Sequence, residues 1–326
     1  MKPLPRRALF TAGALGVLAG AGLASSSVVG TGAAQAMVVA GRTRAGTPSE
    51  TKIQWGADPQ RQTGQLFLPD PQHFGGGEGT TSYPVIMFIH GGGWTDKSGP
   101  LYCQAAAQDL ARYGVAVWLP TYRGTPWPGG WPMTFQDVSD ALDHVARLGE
   151  YADFQPDLTR VHLTGHSAGG HLAAWVAGRD QLPADMPGGR NTSSGDPHAV
   201  RVTVQSTTPL AGVLDFEKAV YEDNDNWVVD VMGGRPEEEP QRYKALSPIE
   251  QLPLNIPVNV LHGKADATVP VATLRDYISK HAQTGNTGRV VLLDGVEHND
   301  FVDIHHHAWT VAREVCLASV GKPYAV

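Results

Sequence analysis

The segment with the clearest chemical potential is GHSAG at residues 165–169. It follows an apolar run and precedes a segment of helical character, which predicts a tight turn from a strand into a helix. Such a turn needs small residues on both sides of Ser167, and it holds the serine hydroxyl at the positive end of the next helix. This placement favours a nucleophilic serine over a structural glycine turn with an incidental serine.

A second glycine-rich segment, HGGGW at residues 90–94, also follows an apolar run. We call residues 90–94 the glycine loop. Consecutive glycines allow backbone N–H groups to face the negative charge that develops on a carbonyl oxygen. We expect the N–H groups of Gly92, Gly93 and Ala168 to form such an oxyanion hole. A phosphate-binding loop is the alternative, but the G-x-x-x-x-G-K-[ST] pattern and its lysine are missing.

A nucleophilic serine requires a base and a carboxylate that orients the base. In this kind of architecture they follow the serine in the order acid, then histidine. Asp266 and His298 lie just after the last two apolar runs, where ligands of parallel sheets bind. We therefore predict a catalytic triad of Ser167, Asp266 and His298. Asp294 and Asp300 are rival acids, but the first comes early and the second is close to His298 in sequence.

The other histidines are not spaced as metal ligands. Residues 305–307 are three consecutive histidines, and successive helical residues point about 100° apart, so they cannot share one ion on one face. We predict no metal and no cofactor. His90, His166 and His171 are expected to orient loops around the site instead of transferring protons.

Aromatic residues fall on predicted loops at the catalytic end of the sheet. They are expected either to line an aromatic or acyl pocket or to pack in the ordinary way, and they are Trp94, Trp127, Trp131 and Trp227.

Apolar runs alternate with amphipathic segments, which predicts an α/β fold: a mostly parallel, twisted sheet with helices on both faces. The expected strands lie at residues 65–68, 85–89, 115–119, 161–164, 258–261 and 290–293. The expected helices lie at residues 102–113, 135–148, 168–176, 271–281 and 308–316. Two segments, residues 181–199 and 221–251, are expected to be loops or a small lid inserted on this core.

The chain has 326 residues, two cysteines and a net charge of -7, which argues against a small disulfide-stabilised domain and a dedicated nucleic-acid binder. Residues 1–36 contain Lys2, Arg6 and Arg7, no acidic residue, an apolar stretch and a final AQA. This order is typical of a secretory signal, and the arginine pair suggests the twin-arginine route. Its removal leaves residues 37–326 as one catalytic domain with a net charge of -10, because three basic residues are lost. A membrane anchor is the alternative.

These segments resemble the α/β-hydrolase superfamily, within it the esterase group that includes feruloyl-esterase-like, kynurenine-formamidase-like and hormone-sensitive-lipase-type proteins. The motifs that carry the resemblance are residues 90–94, residues 165–171 and the loops with Asp266 and His298. The resemblance implies the α/β-hydrolase fold, with Ser167 as nucleophile, His298 as base and Asp266 as the orienting acid. His166 stands where the hormone-sensitive-lipase type usually has aspartate, which moves the likeness toward the formamidase and feruloyl-esterase side.

The resemblance implies a serine hydrolase, and the expected export signal implies that it is secreted by a bacterium. It would cleave small or polymer-linked carboxylic esters through an acyl-enzyme intermediate. An amidase acting on N-formyl or aryl amides with the same triad is the alternative, and a non-catalytic binding protein on a hydrolase fold is a third. The expected partners are an ester substrate and, during secretion, the twin-arginine export machinery.

The two cysteines are Cys103, after the glycine loop, and Cys316, on the last predicted helix. In the α/β-hydrolase fold, as the resemblance implies, these helices pack on the same face of the sheet. In an exported protein the two thiols are therefore expected to form a disulfide that joins the ends of the domain. Two separate buried thiols are the alternative.

Overall fold

The apolar runs of the sequence come together in one mixed sheet. The computed structural model describes residues 46–74, 81–126, 128–190 and 200–322, and within them the strands are β1 (Ser49–Gln54), β2 (Thr63–Leu68), β3 (Ser82–Ile89), β4 (Ala116–Pro120), β5 (Gln155–His166), β6 (Ser206–Leu210), β7 (Val260–Gly263) and β8 (Val290–Leu293). The strands lie in the order β1-β2-β4-β3-β5-β6-β7-β8. The pairs β1–β2 and β2–β4 are antiparallel, and every neighbouring pair from β4 to β8 is parallel. The prediction of a mostly parallel sheet is confirmed.

Two strands are absent from the sequence prediction. β6 has the sequence STTPL, whose hydroxyls and proline give no apolar run, although all five residues are buried between β5 and β7. β1 has the sequence SETKIQ and lies at the edge of the sheet, with most of its side chains in contact with solvent. Both strands form because neighbouring strands complete their backbone hydrogen bonds, which a local hydrophobic pattern does not report.

Each of the five predicted helices overlaps an α-helix of the structure. The α-helices of the described residues are α1 (Pro71–Phe74), α2 (Gln104–Ala111), α3 (Met133–Asp143), α4 (Ala168–Ala177), α5 (Phe216–Glu222), α6 (Asn226–Met232), α7 (Pro240–Leu246), α8 (Arg275–Gln283) and α9 (His307–Ser319). Short 3₁₀ helices precede α2 at Pro100–Cys103, follow α3 at His144–Glu150 and precede α8 at Val271–Leu274. Others lie at Arg179–Gln181, Pro248–Gln251 and His298–Phe301.

Residues 221–251, expected to be a loop or a small lid, are largely helical, which corrects the loop alternative. They contain the end of α5 and the whole of α6 and α7. The carboxylate of Asp215 accepts the Lys218 N–H at the start of α5, and that of Asp225 accepts the Trp227 N–H at the start of α6. Side-chain caps of this kind stabilise helices of only seven residues, which are too short to show a clear apolar period. The other expected insert, residues 181–199, is described only as far as residue 190, where it forms turns.

Alternate residues of β3 divide the core into two layers. Val85 and Met87 pack with residues of α3 and α4, whereas Ile86 and Phe88 pack with residues of α2 and α9. This alternation follows from the two-residue period of a strand, and it confirms that helices cover both faces of the sheet.

A buried ion pair joins α2 to α9 within the second layer. Arg313 Nη1 lies 2.6 Å from Asp109 Oδ2, which also accepts the Trp309 indole N–H at 2.8 Å. The two helices are therefore held together by a charged contact as well as by apolar packing.

The expected disulfide is not present. Cys103 and Cys316 belong to the same apolar layer, as expected, but both are free and buried. The Cys103 thiol contacts Tyr102 and the Gly91 backbone, and the Cys316 thiol contacts Thr164 and Thr208 on the sheet. Packing on one face does not by itself bring two side chains within bonding distance.

The expected export signal, residues 1–36, and Trp127 lie outside the described residues. In the part of the chain that is described, no helix combines the length and apolar character needed to span a membrane.

Candidate active site

Ser167 occupies the sharp turn between β5 and α4. Its backbone has φ 58° and ψ -123°, a conformation that is strained for any residue with a Cβ. Close packing requires glycine on both sides: a Cβ on Gly165 would lie 2.3 Å from the carbonyl oxygen of Gly169, and one on Gly169 would lie 2.0 Å from that of Ile89. The Ser167 N–H donates to the Leu210 carbonyl at 2.9 Å. The predicted turn is therefore formed, and the surrounding backbone holds its strained residue.

Two loops at the carboxyl ends of neighbouring strands bring an acid and a histidine together. Asp266 lies in the acid loop, residues 264–270, after β7, and His298 lies in the base loop, residues 294–301, after β8. His298 Nδ1 is 2.7 Å from Asp266 Oδ2. The other carboxylate oxygen, Oδ1, accepts the N–H groups of Thr268 at 2.9 Å and Val269 at 2.8 Å. Because the carboxylate accepts a hydrogen bond from Nδ1–H, the Nε2 atom of the neutral imidazole is left as the acceptor.

The acid loop keeps Asp266 ionised. Burial alone favours its protonated form, but the hydrogen bond and charge of His298, together with the Val269 N–H, hold the pKa of Asp266 below its usual range. His262 Nε2 is 3.5 Å from the same carboxylate, yet it donates to the Val269 carbonyl at 2.8 Å, and burial lowers the pKa of His262. His262 is therefore a neutral neighbour, and His298 is the histidine that pairs with Asp266.

The two rival acids have other partners. Asp294 is exposed and forms an ion pair with Lys264, with Nζ and Oδ1 2.8 Å apart. Asp300 accepts the Glu297 N–H at 2.7 Å and caps the 3₁₀ helix that begins at His298. His298, at the start of that helix, therefore contacts Asp266 from the acid loop and not Asp300 from its own loop.

The glycine loop lies beside the serine. A Cβ on Gly91 would lie 2.9 Å from the Cβ of Ser167. Gly92 and Gly93 have φ values of 107° and 63°, which favour glycine. Among the described residues, the N–H groups of Gly92 and Gly93 have no hydrogen-bond acceptor, whereas that of Gly91 donates to the Tyr102 hydroxyl at 2.6 Å. Ala168 is the first residue of α4 and directly follows Ser167. The three N–H donors predicted from the sequence therefore lie on the glycine loop and at the start of α4, the two segments next to Ser167.

The tryptophans at the predicted pocket differ in their surroundings. Trp94 is 1 % exposed, and its indole N–H donates to His171 Nδ1, so it belongs to the core and does not line an open pocket. Trp131 is half-buried under the Arg242 guanidinium, 5.2 Å from its ring centroid. Trp227, on α6, is 47 % exposed, and a Cβ on Gly93 would lie 3.1 Å from its ring. Trp227 is therefore the one described tryptophan of this set that faces both solvent and the glycine loop.

The nearby histidines are neutral and hold loops. Burial lowers the pKa of His90 to about 4 and that of His171 to about 3. The His90 ring stacks on Tyr122 with centroids 4.4 Å apart, and His171 Nε2 donates to the Leu246 carbonyl at 3.0 Å. Among the described residues, no cluster of three His, Cys, Asp or Glu side chains is arranged to hold a metal ion.

One residue near the site was not singled out from the sequence. Tyr102, in the 3₁₀ helix before α2, places its hydroxyl against the Gly91 N–H and 3.2 Å from His166 Nδ1. Its partners are 11 and 64 residues away, so no local pattern marks it.

Known proteins with similar sequences include esterases of Mycobacterium tuberculosis. The probable carboxylic ester hydrolase LipM is 29% identical over 211 residues, covering 63% of this chain and 46% of that protein. Esterase LipC is 27% identical over 209 residues, covering 62% of this chain and 49% of that protein. The chain thus spans about half the length of these curated relatives.

The solved structures and a family model agree with this similarity. A truncated carbohydrate esterase from gut microbiota superimposes with a TM-score of 0.70 at 19% identity, over 87% of this chain and 100% of that one, which shows a shared fold. The model of the BD-FAE family matches residues 76–280, a range that contains the glycine loop, Ser167 and Asp266 and ends before His298. Because the match covers more than half of the chain, the protein belongs to the BD-FAE family and has the fold of the α/β-hydrolase esterases.

Proposed function

We propose that this protein is a carboxylic-ester hydrolase in which Ser167 is the nucleophile, His298 the general base and Asp266 the residue that orients the base. The observation that carries this proposal is the 2.7 Å contact between His298 Nδ1 and Asp266 Oδ2. The His298 ring centroid lies 4.6 Å from that of His166, which directly precedes the serine on its strained turn. The similarity to carboxylic-ester hydrolases supports the class of reaction. The geometry supports the assignment of roles within it.

The reaction proceeds through an acyl-enzyme. The Ser167 oxygen attacks the ester carbonyl carbon, and its proton passes to His298 Nε2. The resulting imidazolium is stabilised by the ionised Asp266 carboxylate, to which Nδ1 remains hydrogen-bonded. When the tetrahedral intermediate collapses, the carbon–oxygen bond to the alcohol breaks and His298 returns the proton to the leaving alcohol. Water then repeats the sequence on the acyl-enzyme and releases the carboxylic acid.

The negative charge on the tetrahedral oxygen requires donors that are in place before the reaction. The free N–H groups of Gly92 and Gly93, and that of Ala168 at the start of α4, are the donors in this proposal. A residue with a Cβ would not fit at Gly92, because the Cβ would lie 2.0 Å from the Cβ of Ser98. Loss of a single donor of this kind costs about 10²–10³-fold in turnover.

The surface beside these donors supports a proposal about the substrate. Trp227 places a half-exposed indole against Gly93, where a group attached to the ester carbonyl would lie. A flat apolar or aromatic group there gains contact with the ring. We therefore assign to Trp227 the role of a wall of the substrate pocket, for a small or polymer-linked ester.

The test is covalent labelling combined with turnover. A fluorophosphonate probe is expected to label the wild type and not Ser167→Ala, and Ser279→Ala, which removes an exposed serine hydroxyl on α8, is the matched control. Hydrolysis of p-nitrophenyl acetate and methyl ferulate is expected from the wild type and the control only. Folded wild type that takes no label would refute the serine mechanism. A preference for N-formylkynurenine by orders of magnitude would make the protein an amidase.

We further propose that residues 1–36 direct export by the bacterial twin-arginine machinery and are then removed. The basic, apolar and small-residue order of this segment supports the proposal. Replacement of Arg6 and Arg7 by lysine is expected to retain the protein in the cell, and the exported wild type is expected to begin at Met37. An exported protein that still carries residues 1–36 would instead indicate a membrane anchor.

A further inference from the structure

A continuous chain of hydrogen bonds connects the glycine loop to the base loop without passing through the triad side chains. The Gly91 N–H is 2.6 Å from the Tyr102 hydroxyl, and that hydroxyl is 3.2 Å from His166 Nδ1. His166 Nε2 is 2.8 Å from the carbonyl oxygen of His298. Both ends of the chain therefore lie on segments that carry the proposed catalytic groups.

The direction of each hydrogen bond is determined by chemistry. A carbonyl oxygen only accepts, so Nε2 of His166 must carry a proton. Burial is the main cause that lowers the pKa of His166 to about 3, and the neighbouring His298 lowers it further. The ring is therefore neutral, and Nδ1 is an acceptor. Burial raises the pKa of Tyr102 well above its usual value, so its hydroxyl keeps the proton that it donates to Nδ1. The Tyr102 oxygen then accepts the Gly91 N–H.

This chain leaves the correct donors free. Gly91 is the glycine of the loop whose N–H is already used, and those of Gly92 and Gly93 remain available for substrate. Gly91 has little room to shift, since a Cβ there would lie 2.4 Å from the His166 carbonyl oxygen and 2.6 Å from the Tyr102 hydroxyl. Anchoring the first glycine thus fixes where the next two N–H groups point.

The same histidine supports the base loop. The rings of His166 and His298 have centroids 4.6 Å apart, and the His298 carbonyl is held by His166 Nε2. His166 directly precedes Ser167 in the chain, so one residue contacts the base and is covalently joined to the nucleophile. A neutral ring at this position orients His298 without competing for its proton.

We propose that Tyr102 and His166 are positioning residues that link the geometry of the oxyanion hole to that of the base. This inference rests on the proposed ester hydrolysis. Neither side chain touches the reacting atoms, and their effect is exerted through Gly91 at one end and His298 at the other.

Steady-state kinetics with p-nitrophenyl acetate tests the inference with four variants. Tyr102→Phe and His166→Phe are expected to lower kcat by about 10–100-fold with little change in KM, because displacement of a catalytic group by about 1 Å costs up to about 10²-fold. His166→Gln, which keeps an N–H donor for the His298 carbonyl, is expected to recover part of that loss. Tyr83→Phe removes the hydroxyl of a buried tyrosine at the opposite end of β3, which hydrogen-bonds Thr81, and is expected to leave kcat unchanged.

Non-additivity is the signature of a chain. The Tyr102→Phe/His166→Phe double variant is expected to be no slower than His166→Phe, since each change breaks the same connection. Wild-type kcat in Tyr102→Phe, or a His166→Phe variant as active as the wild type, would overturn the inference. The inference would also be overturned if the losses in kcat multiplied in the double variant. It would likewise be overturned if kcat in every variant, including Tyr83→Phe, simply fell with the melting temperature.

A second measurement does not depend on turnover. In protein labelled with ¹⁵N, the His166 ring is expected to stay neutral with its proton on Nε2 across the neutral pH range. Tyr102→Phe is expected to shift both the Gly91 amide and the His298 ring resonances, whereas Tyr83→Phe shifts neither. An unmoved His298 resonance in Tyr102→Phe refutes the link. A wild type that shows these shifts but hydrolyses no ester would refute the proposed function and leave the link standing.

Discussion

Replacement of Asp266 by asparagine isolates the orienting role that we propose for the carboxylate. The side chain is buried, and its two oxygens have different partners: Oδ1 accepts two backbone N–H groups, and Oδ2 accepts His298 Nδ1–H. An asparagine amide has one oxygen and one NH₂ group. If the NH₂ faced the acid-loop backbone, the N–H groups of Thr268 and Val269 would lose their acceptor, at a cost of about 1–3 kcal/mol each. The amide oxygen therefore takes the Oδ1 position.

This orientation turns a donor toward the histidine. With NH₂ at the Oδ2 position, His298 must accept at Nδ1, so its proton moves to Nε2, the atom that has to receive the proton of Ser167. We expect kcat to fall about 10⁴-fold, the loss found when the wrong histidine tautomer is imposed in a serine-protease triad. The fold is expected to remain intact, because both backbone hydrogen bonds of the acid loop are kept.

The assay is steady-state hydrolysis of p-nitrophenyl acetate, with melting temperature as the check on folding. Asp294→Asn and Asp300→Asn are matched controls, since the first removes an exposed ion pair and the second keeps an oxygen that can cap the 3₁₀ helix. Both are expected to stay within about threefold of the wild type, as is usual for surface changes of small energetic cost. An Asp266→Asn enzyme within tenfold of wild type, or a larger loss in either control, would refute the reasoning.

Three further results are expected. Asp109→Ala removes one partner of the buried ion pair with Arg313 and is expected to lower the free energy of unfolding by about 3–5 kcal/mol in urea titrations. A loss below about 1 kcal/mol would contradict the importance of the pair. Burial raises the thiol pKa values of Cys103 and Cys316 to about 12, so both are expected to resist iodoacetamide in the native protein. In denaturant without a reductant the protein is expected to take two labels, whereas a protein with a disulfide would take none. Trp227→Ala is expected to raise KM for aromatic esters about 5–10-fold, because an aromatic contact is lost, and to have little effect on KM for acetate esters. Equal effects on both kinds of ester would show that the ring is not a pocket wall.

The parts of the site that could be predicted are those whose chemistry demands a local pattern. The turn at Ser167 needs glycines two residues away on each side, because the backbone of neighbouring segments leaves no room for a Cβ. The glycine loop is marked in the same way by positive φ values. Much of the order of strands and helices is also local, since most strands buried on both faces are apolar runs, with β6 as the exception.

The parts that could not be predicted depend on residues far apart in the chain. The Tyr102 hydroxyl contacts His166, a residue 64 positions away in the chain, and no local pattern marks such a pair. The disulfide between Cys103 and Cys316 was wrongly expected, because a shared face determines the layer but not the direction of the side chains. The short helices α5, α6 and α7 were also missed, since seven residues carry too few apolar positions to show a period.

The strand order has a kinetic consequence. The glycine loop follows β3, and His298 follows β8 at the edge of the sheet, so the groups of the site are collected from about two hundred residues of chain. Contacts of such long range form late and slowly during folding. In the proposed mechanism, a nascent or refolding chain that has not docked β8 has its nucleophile but lacks its base. Reactivity toward a fluorophosphonate is therefore expected to count only molecules in which β8 has joined the sheet, and its recovery after dilution from denaturant would report that step.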